Sequence, residues 1–238
     1  MHKRKIKISS DIFVRYPEFK RGVIIVRDIK VAEKNKRIKK PLNNIIKQRQ
    51  SENIDYNEHP FVKAWDEAHI KFNSNPEQYP PSIKALLSRV AYGGGLPFIN
   101  SVVTLFNYIS IKYLVPCGGD DIDSISGNLY LGFATGNELF TGLGSTETEH
   151  PVKGEVIYYD DKSNQIMCRR WNWRNAEFSK ITTGSQRIVI NIDGIDAIPE
   201  STIIQARNEL DNLLKLHCNA DTVTELLLRE KQEICLSD

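Results

Sequence analysis

The chain has 238 residues, 40% of them hydrophobic and 26% charged, long enough for one large domain or two small ones whose core needs neither metal nor disulfide. No apolar run approaches the length that crosses a bilayer, and the basic start, MHKRKIKISSD, leads into no long apolar stretch. That excludes a spanning helix and points to the cytoplasm. Four scattered cysteines, Cys117, Cys168, Cys218 and Cys235, read as reduced thiols, suiting neither a zinc site nor a secreted disulfide frame.

KIKIS (5–9) and RGVIIVRDI (21–29) predict strands, joined by a short helix around DIFVRYP. The net charge of +2 hides an asymmetry: residues 1–50 hold 16 Lys and Arg against four acids. The densest part is KNKRIKK, Lys34 to Lys40, followed by Lys47 and Arg49. Lys36, Arg37, Lys39 and Lys40 are therefore candidate contacts to RNA phosphates in a basic segment spanning 30–50, or else a solvated helix face. Pro41 predicts the start of a helix running to about Gln50. HPFVKAWDEAHIKF gives a helix from His59, and PPSIKALLSRVAY another that AYGGGLP stops.

SVVTLFNYISIKYLVP, Ser101 to Pro116, is apolar on nearly every side and predicts a buried helix. Asn107 interrupts it, and a buried amide must brace a loop or face a pocket. PCGGDDIDSI follows with two glycines and the carboxylates Asp120, Asp121 and Asp123, able to hold a cation, an amino group or the next turn. NLYLGFAT, GEVIYYD, NQIMCRRW and QRIVINID predict strands, and IPESTIIQARNELDNLLKLHC a helix with Ile203, Ala206, Leu210 and Leu213 inward. Residues 219–238 contain TVTELLLREKQEI, expected as a loose C-terminal helix. With no internal repeat, residues 1–238 read as a single α+β domain, helices mostly in the first half and a mixed or antiparallel sheet largely from the second.

Standard catalytic signatures are missing: the chain carries no GxSxG, no phosphate loop ending in GK[ST] and no HExxH. No metal and no cofactor are expected. The densest chemistry is CRRWNWRN, Cys168 to Asn175, with three arginines and two of the three tryptophans. As an extended segment it would put Arg169, Trp171, Trp173 and Asn175 on one face and Cys168, Arg170, Asn172 and Arg174 on the other. The arginines can meet phosphate or carboxylate as forks, and Trp171 or Trp173 can stack on a base. The alternative is a buried brace, with both tryptophans in the core and the arginines paired to Asp121, Asp123 or Glu177.

From Ser101 to Asp193 the chain resembles the B3/B4 editing module of the beta subunit of bacterial phenylalanyl-tRNA synthetase, and more closely the freestanding relatives of that module. The residues that carry the resemblance are SVVTLFNYISIKYLVPCGGDDIDSISGNLYL, CRRWNWRN and SKITTGSQRIVINIDG. The family's module removes tyrosine wrongly attached to the phenylalanine tRNA. Its helix asparagine falls on Asn107, and the threonine before it becomes Phe106. A histidine two residues after the proline becomes Gly118, and the pocket glutamate at the end of the last strand becomes Asn191. The glycine-rich pocket loop is replaced by WNWRN, with Asn175 near one pocket glycine. These departures leave the scaffold and remove the groups that set tyrosine specificity.

The resemblance implies a trans-acting hydrolase that binds a mischarged aminoacyl-tRNA. Asn107, Asp120, Asp121 and Asn191 are then the candidates for holding water or the substrate's amino group. The alternative is a non-catalytic module that binds tRNA or an amino-acid-like ligand on the same scaffold, and a third reading is a small-molecule enzyme that reused it.

Overall fold

The structure, a computed structural model, describes residues 4–52 and 54–236. In chain order the elements are β1 (Lys5–Ile8), α1 (Ser10–Arg15), β2 (Lys20–Asp28), α2 (Lys36–Ser51), α3 (Pro60–Lys71), α4 (Ser82–Ala91), α5 (Ser101–Tyr113) and β3 (Cys117–Asp121). Then come β4 (Leu129–Phe133), β5 (Phe140–Thr141), β6 (Thr148–Glu149), β7 (Val156–Asp160), β8 (Gln165–Arg169), β9 (Arg174–Asn175), β10 (Ile188–Gly194), α6 (Glu200–Cys218), β11 (Asp221–Leu227) and β12 (Glu233–Cys235). The expected α+β class is what folds.

Two sheets carry the molecule. One is antiparallel with strand order β11-β2-β10-β3; the other has order β12-β1-β4-β7-β8-β9 and is mixed, since β1 runs parallel to β4. Val23 to Val26 and Ile188 to Ile192, with Asn191 as the one polar member, form the apolar centre of the first sheet. Such continuous apolar runs belong to strands covered on both faces. Two charges stand just beyond these runs as direct cross-strand neighbours, Arg21 on β2 and Asp193 on β10. α5 packs against α2, α4, α6 and β3, which explains its lack of a broad polar face. One apolar cluster runs from Ile6 to Leu236.

Several expectations change. α2 starts at Lys36, where Asn35 caps it by accepting from Arg37 N, and Pro41 lies inside the helix. Proline there removes one intrahelical bond, a cost of about 3 kcal/mol, which burial of Ile38, Leu42, Ile45 and Ile46 offsets. CGGDD is an edge strand, not a loop. The expected C-terminal helix is wrong: 221–227 and 233–235 are strands that cover the outer edges of β2 and β1. An open sheet edge next to the chain end decides against the helical pattern of ELLLREKQEI. Residues 237 and 238, the end of the segment expected as a helix, lie outside the described residues.

Candidate functional site

A pocket of about 550 Å³ opens where the two sheets meet. Arg21, Cys117 to Asp120, Asn191 and Asp193 come from the antiparallel sheet, Tyr158 and Cys168 from the mixed one, and Ser82, Leu86 and Arg89 from α4. The segment Trp171 to Asn175 closes one side.

Its floor is an ion pair. Arg21 donates through Nε and Nη2 to the two carboxylate oxygens of Asp193 at 2.7 and 2.8 Å, and Trp171 Nε1 donates to Asp193 Oδ2 at 3.2 Å. A forked pair of this kind fixes both groups in one orientation. Trp171 is 2% exposed. It sits edge-on to Tyr16, Phe19 and Trp65 at centroid distances of 4.8, 5.2 and 5.2 Å, a favoured aromatic arrangement. The backbone strains to put it there. Arg170 and Trp171 have φ of 47° and 64°, left-handed values that a bulky residue rarely adopts. Trp171 N–H bonds the Val156 carbonyl at 2.7 Å and Ser82 N–H bonds the Asn172 carbonyl at 3.0 Å, so the turn is tied to β7 and α4.

Four residues that line this pocket carry buried polar atoms without partners. Arg21 Nη1, Asn172 Nδ2, Asn191 Oδ1 and the Tyr158 hydroxyl are all buried. The Asn191 side chain stands beside the Tyr158 hydroxyl, yet neither that hydroxyl nor Asn191 Oδ1 makes a hydrogen bond of ordinary geometry within the protein. Each such group costs about 1 to 3 kcal/mol when left unpaired, and four of the ten found among the described residues belong to residues of this one pocket. Asp120 adds a titratable group. Burial pushes its carboxyl up to about 7, while the Ser179 hydroxyl donating to Oδ1 at 2.7 Å and the Arg21 charge pull the other way. The thiols of Cys117 and Cys168 are raised by burial, with the carboxylates of Asp193 and Asp120 as the next causes; they are protonated and poor nucleophiles. His69, behind the rim, faces Asn172 Oδ1 at 3.3 Å and is lowered to about 4 by burial.

Two glycines of β3 differ in what they permit. A Cβ on Gly119 would come within 2.4 Å of the Val189 carbonyl and 3.0 Å of the Phe106 ring, so only glycine fits. A Cβ on Gly118 would meet nothing within 4 Å, so this position leaves space in the pocket that a side chain would otherwise take.

The other expected site residues divide. Asp120, Trp171, Asn172, Trp173, Arg174, Asn175 and Asn191 all line the pocket. Asn107 does not; it is half-buried on α5, so the expectation of a fully buried amide is corrected. Asp121 points away, as the next residue of a strand must, accepting from Asp123 N at 2.9 Å and from Ser185 Oγ. Asp123 pairs with Arg187 Nε at 2.8 Å. The three carboxylates thus diverge, and among the described residues no group of three or more His, Cys, Asp or Glu is placed to hold a metal ion.

The extended face pattern also fails, because β8 ends at Arg169 and the chain turns. Arg169 lies outside the pocket, donating to Glu155 Oε1 at 2.9 Å and Glu149 Oε2 at 2.6 Å. Arg170 lies over the Tyr79 ring at 3.7 Å and faces Glu155 Oε2 at 3.7 Å. Their partners are these glutamates, not Asp121, Asp123 or Glu177. Trp173 is half-buried and edge-on to Tyr79 at 4.8 Å. Arg174 Nη2 donates to the Leu143 carbonyl at 3.3 Å. Lys36, Lys39 and Lys40 lie elsewhere, on the exposed face of α2, with Arg37 at its edge.

Arg21, Tyr158, Ser179 and Asp193 were missed from sequence. The available signal was one charge in each of two apolar strands, RGVIIV and INID, which pairing would have to neutralise.

The model of the B3/4 domain matches residues 64–218. The chain belongs to the B3/4 domain family. This match reaches past 101–193 at both ends and takes in most of α3 and all of α4 and α6, so the helix that supplies Ser82, Leu86 and Arg89 to the pocket is part of the B3/4 unit. Among solved structures the chain is similar to an N-terminal fragment of the phenylalanyl-tRNA synthetase beta subunit from Pyrococcus horikoshii. Identity is 11%, the TM-score is 0.47, and the alignment covers 100% of this chain and 57% of that one. The chain thus spans little more than half the length of that fragment. No curated protein matches it. Among the described residues no helix is long and apolar enough to cross a membrane.

Proposed function

We propose that this B3/4 protein acts on aminoacyl-tRNA as one unit, taking the aminoacyl end into the pocket and hydrolysing its ester. The observation that carries the reading is the convergence of buried, unpaired polar groups on one pocket: Arg21 Nη1, Asn172 Nδ2, Asn191 Oδ1 and the Tyr158 hydroxyl. An amino-acid ester brings a carbonyl for the donors and an ammonium for the acceptors. In the reaction Asp120, as carboxylate, takes a proton from water as the water oxygen bonds to the ester carbon. Arg21 Nη1 and Asn172 Nδ2 are the free donors for the resulting oxyanion. Its collapse breaks the bond to the ribose oxygen, which receives the proton, releasing a free amino acid and uncharged tRNA.

Asn191 and Gly118 stand where the family's module keeps a glutamate and a histidine, so the amino acid removed is not assigned as tyrosine. The test is release of amino acid from a panel of mischarged tRNAs, by the parent and by Asp120→Asn. Release by the parent that Asp120→Asn abolishes, with binding of the charged tRNA retained, supports hydrolysis. No release from any member by folded protein would sink it.

A binding-only module is the second reading, favoured by the protonated thiols, which leave the pocket without a cysteine nucleophile. Its signature is equal and undiminished binding of charged tRNA by parent and Asp120→Asn, with no release by either.

A further inference from the structure

We infer that the exposed lysine face of α2 is a docking surface for the phosphate backbone of RNA. This deepens the reading above, on which it rests for the tRNA partner, by naming the surface that holds the body of that molecule.

Lys36, Lys39, Lys40 and Lys47 line one shallow trough together with Asn43 and Asn44, and all six are exposed. At 100° per residue they fall on one stripe, opposite Ile38, Leu42 and Ile45, which are buried. From Lys36 to Lys47 the stripe is about 16 Å long, at about 1.5 Å per residue. Among the described residues none of these four lysines makes a salt bridge, although lysines elsewhere commonly do: Lys84 with Asp66, Lys112 with Glu209, Lys215 with Asp211. The first turn of α2 holds no acid, so its cations crowd the positive end of the helix dipole, an arrangement that is unfavourable until an anion joins them. Four uncompensated cations in a row, with amides between them, match a repeating phosphate chain and carry no sequence preference.

A membrane surface fits less well. A helix that lies on lipid inserts its apolar face, and the apolar face of α2 is spent on the core against α5. The position also suits the proposed substrate, since α2 packs against α4, the helix that contributes Ser82, Leu86 and Arg89 to the pocket.

The test uses the full chain and a variant with Lys36, Lys39, Lys40 and Lys47 all changed to glutamate. Binding of uncharged tRNA is measured from 50 to 200 mM salt, beside vesicles containing phosphatidylserine. Four lysine–phosphate contacts predict a slope of log affinity on log salt of about −3 to −4, and so roughly a hundredfold weakening across that range. The variant is expected to melt like the parent, to lose most of that slope and to bind at 50 mM salt at least a hundredfold more weakly. Both proteins are also given a 2′(3′)-aminoacyl adenosine, which reaches only the pocket; the variant is expected to match the parent there. Failure of the pocket reading would appear as no response to the aminoacyl adenosine with tRNA binding intact. Equal tRNA affinity and slope in variant and parent, no tRNA binding by the parent at 50 mM salt, or stronger binding of the parent to the vesicles than to tRNA would each overturn the docking surface.

Discussion

The two halves of the Cys168–Asn175 segment carry the same residue types and do opposite work. Arg169, Arg170 and Trp171 are turned inward: the arginines meet Glu155, Glu149 and the Tyr79 ring, and the indole fills a nest of four aromatic rings with its N–H on Asp193. Asn172 to Asn175 lie along the pocket, and Asn172 Nδ2 has no partner in the protein. Composition does not separate a brace from a ligand surface; satisfaction of the polar atoms does. In this segment the paired Arg169 guanidinium and Trp171 N–H hold the fold, and Asn172, which lines the pocket with Nδ2 unpaired, is the side chain free to meet a ligand.

The brace gives the largest effect. Trp171→Ala is expected to cost about 3 to 5 kcal/mol, read as a lower denaturant midpoint, because it empties the nest and frees Asp193. Trp173→Ala, at a half-buried position, is expected to cost about 1 kcal/mol or less. Similar losses for the two tryptophans would erase the comparison. Glu155→Ala belongs with the first group. It removes the buried carboxylate that accepts from Arg169 Nε and Nη2 and leaves only the more exposed Glu149 on Nη1; breaking a buried pair costs up to about 3 to 5 kcal/mol. The brace reading would fail if that variant kept the parent's midpoint.

Those assignments mark what a sequence could and could not yield. The helices and the longer apolar strands between Lys5 and Cys218 were legible because apolar periodicity agrees there with tertiary packing: HPFVKAWDEAHIKF buries Val62, Trp65 and His69 on one side. The short or glycine-rich strands β3, β5, β6 and β9 were not, since they carry no apolar alternation. The last strands were not, since ELLLREKQEI has a helical period and only the open edges of β2 and β1 overrule it. In the site, the placing of WNWRN along the pocket followed from the family resemblance. The turn at Arg170 and Trp171 did not, because left-handed φ at two non-glycine residues has no local signature. Arg21 and Asp193, about 170 residues apart in the chain, become neighbours through sheet register alone.

Asp120 tests the pocket side of the comparison through pH. Its carboxyl is raised to about 7 from an ordinary value of 3.8, first by burial. Between those values the folded protein binds more protons than the unfolded chain, so this group's contribution to stability falls as pH rises from about 4 to about 7, then stays constant. His69, lowered to about 4, has the opposite sign from about 4 to 6.5, so the parent's own pH profile mixes the two. The difference between Asp120→Asn and parent isolates the first. The variant is expected to be more stable at pH 8, by on the order of a few kcal/mol, with the advantage vanishing toward pH 4, while losing ester hydrolysis. A variant less stable than the parent at pH 8 would mean that Asp120 is braced after all.

Tyr158→Phe gives the smallest change in stability and the sharpest separation of the two kinds of residue. The ring is buried beneath Arg21, whose guanidinium carbon lies 5.0 Å from its centroid, and phenylalanine keeps that contact and volume. The hydroxyl it removes makes no hydrogen bond of ordinary geometry, and deleting an unpaired buried polar group relieves its desolvation cost instead of exposing a new one. Stability is therefore expected to be unchanged or to rise by about 1 kcal/mol, in contrast with the loss that follows removal of a satisfied tyrosine hydroxyl. Binding of an aminoacyl adenosine should weaken in the same variant, since the hydroxyl and Asn191 Oδ1 together offer both a donor and an acceptor to whatever enters. A midpoint lowered by 1 kcal/mol or more, with ligand binding unchanged, would place Tyr158 with Trp171 on the structural side and leave the pocket one recognition group poorer.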